Sequence, residues 1–181
     1  MPGYIAFLRA VNVGGRRSVR MAGLRAALED AGYTQVETHI QSGNVAVTSR
    51  RRTAESVAGH LTSTLSAWAG FDIPCIVRTP AALGELVREA DAVAPMFPGP
   101  VKRYLAVADG PVPQQAAATF AAWTTSGERA VALTDAVLAE LGRDFHESTL
   151  TNARIEKITG LTTTWRALEV VRTVAEKWSE R

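Results

Sequence analysis

The stretch that decides the fold is VETHIQSGNVAVT, residues 36–48, because it holds two β-rich runs around a tight turn. Residues 36–40 and 45–48 are rich in β-branched side chains, and Ser42-Gly43-Asn44 lies between them. Glycine and asparagine tolerate the positive φ angles that short hairpin turns require. The pattern therefore predicts an antiparallel β-hairpin.

The segments on either side of this hairpin complete a β-α-β-β-α-β order. Residues 4–8, YIAFL, predict a buried strand, and the helical spacing of apolar residues that follows has Ser18 as its natural N-cap. After the hairpin, Thr53 caps a second helix, whose apolar side ends with Trp68. Residues 73–78 predict another strand. This order is typical of the ferredoxin-like arrangement.

The second half of the chain roughly repeats the first. Thr79-Pro80 is a strong helix start, because a proline at the first helical position loses no hydrogen bond. The later predicted elements are a strand at 103–108, a helix at about 114–123, a hairpin over 129–141, and two closing helices at about 152–159 and 164–178. The second run of that hairpin is also compatible with a helix on propensity alone. We expect an α+β protein of two small sheet-and-helix subdomains, residues 1–79 and 80–181, with a helical C-terminus.

The composition is that of a globular protein. The chain has 181 residues, of which 46% are hydrophobic and 21% are charged, so it can bury a sizeable core. No apolar run reaches the roughly 20 residues that span a bilayer. We therefore expect a cytoplasmic protein without a membrane partner. The single cysteine, Cys75, excludes an internal disulfide, and its apolar neighbours predict an inert, buried thiol.

The net charge of +2 argues against a dedicated nucleic-acid binder, which would carry a basic stripe. Arginine greatly outnumbers lysine, which favours bidentate anion sites. The same bias also follows from the GC-rich coding common in bacteria. The net charge and the arginine content therefore do not identify a binding partner.

Two motifs, LRAVNVGG at the end of the first strand and IQSGNV in the hairpin, resemble those of the DUF1697 family, a family of unknown function. Residues 8–15, LRAVNVGG, are similar to its LRGINVGG-type opening, and residues 40–45, IQSGNV, match its YIQSGN-type hairpin. Residues 148–152, STLTN, and the later Glu156-Lys157 are similar to its SKLSN and EK pattern. The resemblance implies a fold of two subdomains similar to the ferredoxin-like arrangement, and it assigns no catalytic role, since the activity of the family is unknown.

This sequence departs from the family pattern at three places. Ala10 stands where glycine is usual, His39 stands where tyrosine is common, and residues 164–167, TWRA, replace a Thr-Arg-Asn-Trp run. The last departure leaves any functional role of the C-terminal motif open.

The best candidate site lies where the first strand and the hairpin end. In a β-α-β-β-α-β order the first two strands are parallel, so residues 12–17 are expected to face residues 41–44. The candidate ligand-binding residues are Arg9, Asn12, Gly14, Gly15, Arg16, Arg17, Gln41, Ser42, Gly43 and Asn44. The free amides that open the first helix favour an anion, so we expect a small phosphate- or carboxylate-bearing partner. The alternative is that glycine, serine and asparagine serve only the turns.

Other functions find less support in the sequence. No Gly-Lys-Ser/Thr or third glycine follows Gly14-Gly15, so no nucleotide cofactor is expected. His39, His60 and His146 lack metal-ligand spacing, so no metal is expected either.

An enzyme using His39 or Arg9 at the same edge remains an alternative. So does an RNA- or protein-interaction domain that uses the 50–52 arginines or Trp165 and Arg166. The sequence leaves the oligomeric state open, and Arg9 either reaches the site or pairs with a carboxylate.

Overall fold

The computed structural model describes residues 1–12, 17–97, 101–123, 125–142 and 145–181. The predicted ligand residues Gly14, Gly15 and Arg16 lie outside these described residues. In the described part of the chain, no helix is both long and apolar enough to cross a membrane.

The first half has the predicted β-α-β-β-α-β order, followed by a third helix. Its elements are β1 (Gly3–Leu8), α1 (Met21–Asp30), β2 (Thr34–His39), β3 (Asn44–Thr48), α2 (Ala54–Ala69), β4 (Cys75–Arg78) and α3 (Pro80–Ala92). As predicted, Thr53 caps α2, since its hydroxyl accepts a hydrogen bond from Ser56 N at 3.2 Å. Thr79 caps α3 in the same way, with Ala82 N as donor.

The predicted N-cap of α1 is wrong. The helix begins at Met21, and Arg20 is its N-cap residue, with no side-chain cap. The reason lies in the preceding loop, where the side chain of Asn12 binds both the N–H and the carbonyl of Val19. These bonds hold the chain outside the helix until Arg20, so Ser18 cannot be its N-cap.

The second half repeats the order of the first. Its elements are β5 (Lys102–Ala108), α4 (Gln114–Ala121), β6 (Glu128–Ala132), β7 (Ala136–Leu141), a short 3₁₀ turn (Phe145–Glu147), α5 (Asn152–Thr159), β8 (Thr163–Ala167) and α6 (Leu168–Lys177). The predicted hairpin over 129–141 is confirmed as β6 and β7.

One predicted element in this half is wrong, because residues 164–167 are not the start of the last helix. They belong to β8, which pairs antiparallel with β5 so that Trp165 lies opposite Ala106. Threonine and tryptophan fit a pleated surface well, and the pairing with β5 outweighs the helical pattern of the residues that follow. The last helix begins only at Leu168.

Two four-stranded antiparallel sheets result, with the strand orders β2-β3-β1-β4 and β6-β7-β5-β8. The two orders are equivalent, since β5 takes the central place of β1 and β8 the outer place of β4. The α+β class with two similar subdomains is therefore as predicted.

The core of the first half lies between its sheet and the helices α1 and α2. Tyr4 and Leu8 on β1 join the same buried cluster as Leu24 of α1 and Leu61 of α2. Trp68, predicted to share this buried side of α2, is instead 43% exposed. It sits in the last turn of α2, just before the helix ends.

The core of the second half has the same construction. Ala106 on β5 and Val137 on β7 share a buried cluster with Phe120 of α4 and Ile155 of α5.

In the first half, Cys75 is buried as predicted, and burial raises the pKa of its thiol to about 12. The thiolate that reacts with electrophiles is therefore scarce at neutral pH.

The chain forms two compact units, residues 1–84 with 174–181, and residues 85–173. The C-terminal end of α6 and the residues after it therefore belong to the first unit. As a division between the two repeats, residues 1–79 and 80–181 remain our proposal.

Candidate functional site

The loop after β1 meets the β2–β3 hairpin, as the topology predicts. The backbone N–H of Leu8 donates to the carbonyl of Gly43 at 2.8 Å. The side-chain amide of Asn12 donates to the carbonyl of Gln41 at 2.7 Å. We call this meeting point the hairpin edge, comprising Arg9–Asn12, Arg17 and Ile40–Asn44.

Asn12 acts as a clamp within this edge. Its Oδ1 accepts the N–H of Val19 at 2.7 Å, and its Nδ2 donates to the carbonyls of Val19 and Gln41. Its own N–H donates to the carbonyl of Arg17, which closes the loop. Both amide hydrogens of the side chain are therefore committed to protein partners. Asn12 positions the loop and has no donor left for a ligand.

Asn44 and Gly43 also have structural roles. Asn44 is fully buried, and its Nδ2 donates to the carbonyl of His39 and the hydroxyl of Ser42. Gly43 has φ +77°, and a Cβ there would lie 2.6 Å from a methyl of Val11. The turn thus requires glycine for both its conformation and its packing.

Left-handed backbone conformations are concentrated at the hairpin edge. Besides Gly43, four residues have positive φ angles, namely Ala10 (57°), Asn12 (55°), Arg17 (53°) and Ile40 (49°). Each costs a residue other than glycine about 1 kcal/mol, and a β-branched residue is rare there. Asn12 tolerates this region because its side chain is well bonded, whereas Ala10 and Ile40 have no such compensation.

The positive charges at the hairpin edge differ in exposure. Arg17 is exposed, and its guanidinium lies 5.6 Å from the centre of the Phe71 ring. Among the described residues no carboxylate forms an ion pair with it. Arg9 is half-buried, and its backbone N–H donates to the carbonyl of Pro74. The exposed side chain of Gln41 completes the polar groups that face solvent.

The helix that starts beside this edge adds to its positive potential. α1 has no acidic residue in its first turn and no side-chain cap, and an arginine occupies its N-cap position. Because the N-terminal end of a helix dipole is positive, such a start is unfavourable without a nearby anion. The hairpin edge is thus electropositive and conformationally strained.

Trp165 and Arg166, proposed from sequence as a partner surface, lie in β8. Arg166 is only 8% exposed, and it donates to the hydroxyl of Thr164 and the carbonyl of Trp165. Burial lowers the pKa of its guanidinium to about 10. Its charge is engaged within the second unit.

The motif residues near the C-terminus tie α5 to β8. Asn152 donates to the carbonyl of Thr163 and accepts from the hydroxyl of the same residue at 2.6 Å. Glu156 accepts the N–H of Thr163 at 2.8 Å. These residues connect a helix to a strand, as Asn12 connects a loop to a hairpin, so both family motifs include structural clamps.

The tertiary structure also brings together two polar residues that lie 27 positions apart in the chain. His60, in α2, lies within hydrogen-bonding distance of Tyr33 and lines the same cleft as Arg50 and Arg51. No local pattern in the sequence connects these positions, since β2, β3 and the hairpin separate them. His39 ends β2 next to the hairpin edge, and His146 lies in the 3₁₀ turn of the other unit.

The repeated four-stranded sheets place the protein in the class of α+β proteins built from two similar subdomains. Residues 1–138 match the model of the family described as "Protein of unknown function (DUF1697)", and the chain belongs to that family. The resemblance of its two N-terminal motifs is thereby confirmed. No match was found among curated proteins.

A similar fold occurs in a solved structure, that of the conserved bacterial protein SP0830 from Streptococcus pneumoniae. The two chains are 19% identical, the TM-score is 0.75, and the match covers 99% of each chain. At this identity the likeness extends to the fold alone.

Proposed function

We propose that the protein binds a small anionic ligand, bearing a phosphate or a carboxylate, at the hairpin edge. The observation that carries this proposal is the concentration of left-handed residues there, above all Ala10 and Ile40. Strained backbone persists only where the surrounding structure enforces it, and it is frequent at ligand sites. Asn12, through its three bonds, supplies that enforcement.

The charges and donors support an anion in particular. Arg17 is exposed and has no carboxylate partner among the described residues, and Arg9 directly follows β1 at the same edge. The start of α1 has amide groups without a side-chain cap. Free helix-start amides together with guanidinium groups favour carboxylates and phosphates.

The test is a thermal-shift screen of the protein against inorganic phosphate, phosphorylated metabolites and carboxylates. A ligand present at a hundred times its dissociation constant adds about 2.7 kcal/mol to the stability of the folded state. For a chain of this length, the unfolding midpoint then rises by roughly 5 to 11 °C. We expect one chemical class of anion to give such a shift.

The substitution Arg17→Gln tests the location of the site. We expect it to abolish the shift while lowering the midpoint of the unliganded protein by only about 1 to 4 °C, because Arg17 is exposed and loses only its contact with the Phe71 ring. Lys157→Gln, on the exposed side of α5, removes the same charge elsewhere and serves as the control. If no anion shifts the midpoint, or if both variants behave alike, the proposal is wrong.

We further infer that each repeat is of the ferredoxin-like type. The β-α-β-β-α-β order and the equivalent strand orders of the two sheets support this classification.

A further inference from the structure

A cleft of about 670 Å³ lies at the other end of the first sheet, where β3 finishes. Its walls are the turn between α1 and β2, the connection from β3 to α2, and the first turns of α2. The side chains important here are Tyr33, Arg50, Arg51, Ser56 and His60. Because β3 runs from the hairpin edge to this cleft, the two places are separate.

A hydrogen-bonded pair of rings lines the cleft. The hydroxyl of Tyr33 and Nδ1 of His60 are 2.8 Å apart, and the two ring centres are 5.5 Å apart. Burial raises the pKa of Tyr33, which therefore keeps its proton. Burial, followed by the positive charge of Arg51, lowers the pKa of His60, so its imidazole is neutral at pH 7.

The guanidinium of Arg51 also hydrogen-bonds to the Tyr33 hydroxyl, which accepts from Arg51 and keeps its own hydrogen for His60. We infer that this hydroxyl donates to Nδ1 of His60, which places the imidazole hydrogen on Nε2. Within the described part of the chain, no residue forms a hydrogen bond with that Nε2. The pair therefore provides one fixed, unused donor at the cleft.

Positive charge beside the pair is uncompensated. Arg50 and Arg51 both line the cleft, and no described carboxylate forms an ion pair with either. Two hydrogen bonds hold the backbone of Arg51. Its N–H donates to the Ser49 hydroxyl, and its carbonyl accepts from the Tyr4 hydroxyl. The backbone position from which the Arg51 side chain extends is thus fixed relative to the ring pair.

The groups left free in this cleft are donors. Among the described residues, the Arg50 guanidinium and the Nε2–H of His60 have no acceptor, and the Arg51 guanidinium meets only the Tyr33 hydroxyl. The Ser56 hydroxyl adds a fourth donor. A phosphate presents three strong acceptor oxygens and nearly two negative charges at neutral pH. A carboxylate has only two oxygens and half that charge, so it matches this set less well.

We propose that this cleft binds the phosphate group of a small phosphomonoester, with Arg50, Arg51 and the Nε2–H of His60 as its donors. Tyr33 is a positioning residue that fixes the His60 tautomer. A small ligand fits better than a nucleic-acid strand, because the donors lie within one cleft and the net charge of the chain is only +2. This site is independent of the one proposed at the hairpin edge.

The three histidines allow both sites to be observed in one experiment. Long-range ¹H–¹⁵N NMR spectra of the imidazoles are recorded while the full-length protein is titrated at pH 7 with inorganic phosphate, and then with phenyl phosphate. We expect the His60 signals to shift with saturation, and the His146 signals to stay constant. Shifts of His39 report the hairpin edge, so the failure of one proposal is distinguishable from the failure of the other.

Substitutions identify the donors. Arg50→Gln and Arg51→Gln are each expected to weaken phosphate binding about tenfold or more, the effect of removing a charged hydrogen-bond partner. Arg52→Gln, whose side chain does not line the cleft, is the matched control and should change the affinity by less than about twofold. Tyr33→Phe should weaken binding, because it removes the hydroxyl that fixes the His60 tautomer.

Three results would overturn the proposal. The first is an unchanged His60 signal at millimolar phosphate and phenyl phosphate. The second is an equal loss of binding in the Arg52→Gln and Arg50→Gln variants. The third is tight binding of single-stranded RNA with a steep dependence on salt and no binding of phosphomonoesters. Arg50 has no described bond to other residues, so Arg50→Gln keeps the test decisive even if Arg51→Gln fails to fold.

Discussion

The indole Nε1 of Trp178 donates a hydrogen bond to the carboxylate of Glu37, 3.2 Å away and 141 residues earlier in the chain. Trp178 is 1% exposed, so the C-terminal residues are anchored in the first unit by a buried ring. Lys177 and Arg181 both form ion pairs with the same carboxylate. One residue of β2 therefore holds the end of the chain against the sheet where the chain begins.

This anchor predicts a pH-dependent stability. The hydrogen bond from Trp178, followed by the charge of Arg181, lowers the pKa of Glu37 from its ordinary value of 4.5. A lowered pKa stabilises the folded state above the unfolded pKa, and this contribution is lost as the pH falls through the folded pKa. Because Glu37 is half exposed, we expect Glu37→Gln to lower the unfolding free energy at pH 7 by less than about 1 kcal/mol.

The measurement is urea unfolding of wild type and Glu37→Gln between neutral and strongly acidic pH. The two curves should differ at neutral pH and converge below the folded pKa of Glu37. Glu176→Gln, a neighbouring substitution that leaves the anchor intact, should show no such convergence. A difference that persisted at low pH would mean that the anchor does not depend on the carboxylate charge.

The strained backbone predicts a gain in stability. Ala10 is exposed and has a φ of 57°, so Ala10→Gly removes a steric cost without losing buried surface. We expect the unfolding free energy to rise by up to about 1 kcal/mol, since the greater freedom of glycine in the unfolded chain offsets part of the relief. Ala26→Gly, at an exposed position in the middle of α1, should instead lower it by about 0.5 to 1 kcal/mol. Chemical denaturation of the two variants measures both signs, and a loss at Ala10 would contradict the prediction.

The clamp at the hairpin edge predicts a loss. Asn12→Ala removes three hydrogen bonds and places an alanine at a φ of 55°, so we expect a destabilisation of about 2 to 3 kcal/mol. Gln41→Ala is the control, because only the backbone carbonyl of Gln41 takes part in the clamp. It should stay within about 0.5 kcal/mol of wild type in the same unfolding measurement. If Asn12→Ala and Gln41→Ala change the unfolding free energy equally, the hydrogen bonds of the Asn12 side chain do not stabilise the folded state.

A buried charge in the second unit predicts the largest effect. Glu140 on β7 is fully buried, 3.2 Å from the guanidinium of Arg103 and 3.0 Å from that of Arg129. Removing its carboxylate leaves two partly buried arginines without a counter-charge. We therefore expect Glu140→Ala to destabilise the protein by about 3 to 5 kcal/mol.

A double substitution separates charge from packing at this position. In Glu140→Leu with Arg103→Met, both the buried carboxylate and one of its partners become apolar, so part of the lost stability should return. Thermal unfolding of the single and double variants provides the comparison. The single variants for this comparison are Glu140→Leu and Arg103→Met. If the double variant loses more unfolding free energy than these two variants lose together, packing and not charge dominates at Glu140.

Much of the local structure could be predicted from the sequence. The Ser42-Gly43-Asn44 turn, the caps Thr53 and Thr79, and the β-α-β-β-α-β order depend on the dihedral preferences and hydrogen bonds of neighbouring residues. The meeting of Asn12 with Gln41 also followed, because two parallel strands end at the same side of a sheet. These features need only local chemistry and a topology.

Other features required contacts between distant residues. Residues 163–167 form a strand because they pair with β5. Contrary to the prediction, Ser18 does not cap α1, because Asn12 holds Val19 in the loop. Trp68 follows the apolar pattern of α2, yet the end of the helix leaves it exposed. In each case a distant partner, or the lack of one, outweighed a local preference.

The sequence by itself determined the class of fold, its turns and the position of the hairpin edge, since short-range sterics and hydrogen bonding are sufficient for these. Only the tertiary structure decided which polar side chains are free. It committed Asn12 to a clamp, brought His60 to Tyr33, and joined Trp178 to Glu37. Those pairings depend on packing across many intervening residues, and the free energy of burial that drives it is not directional and leaves no local pattern in the sequence.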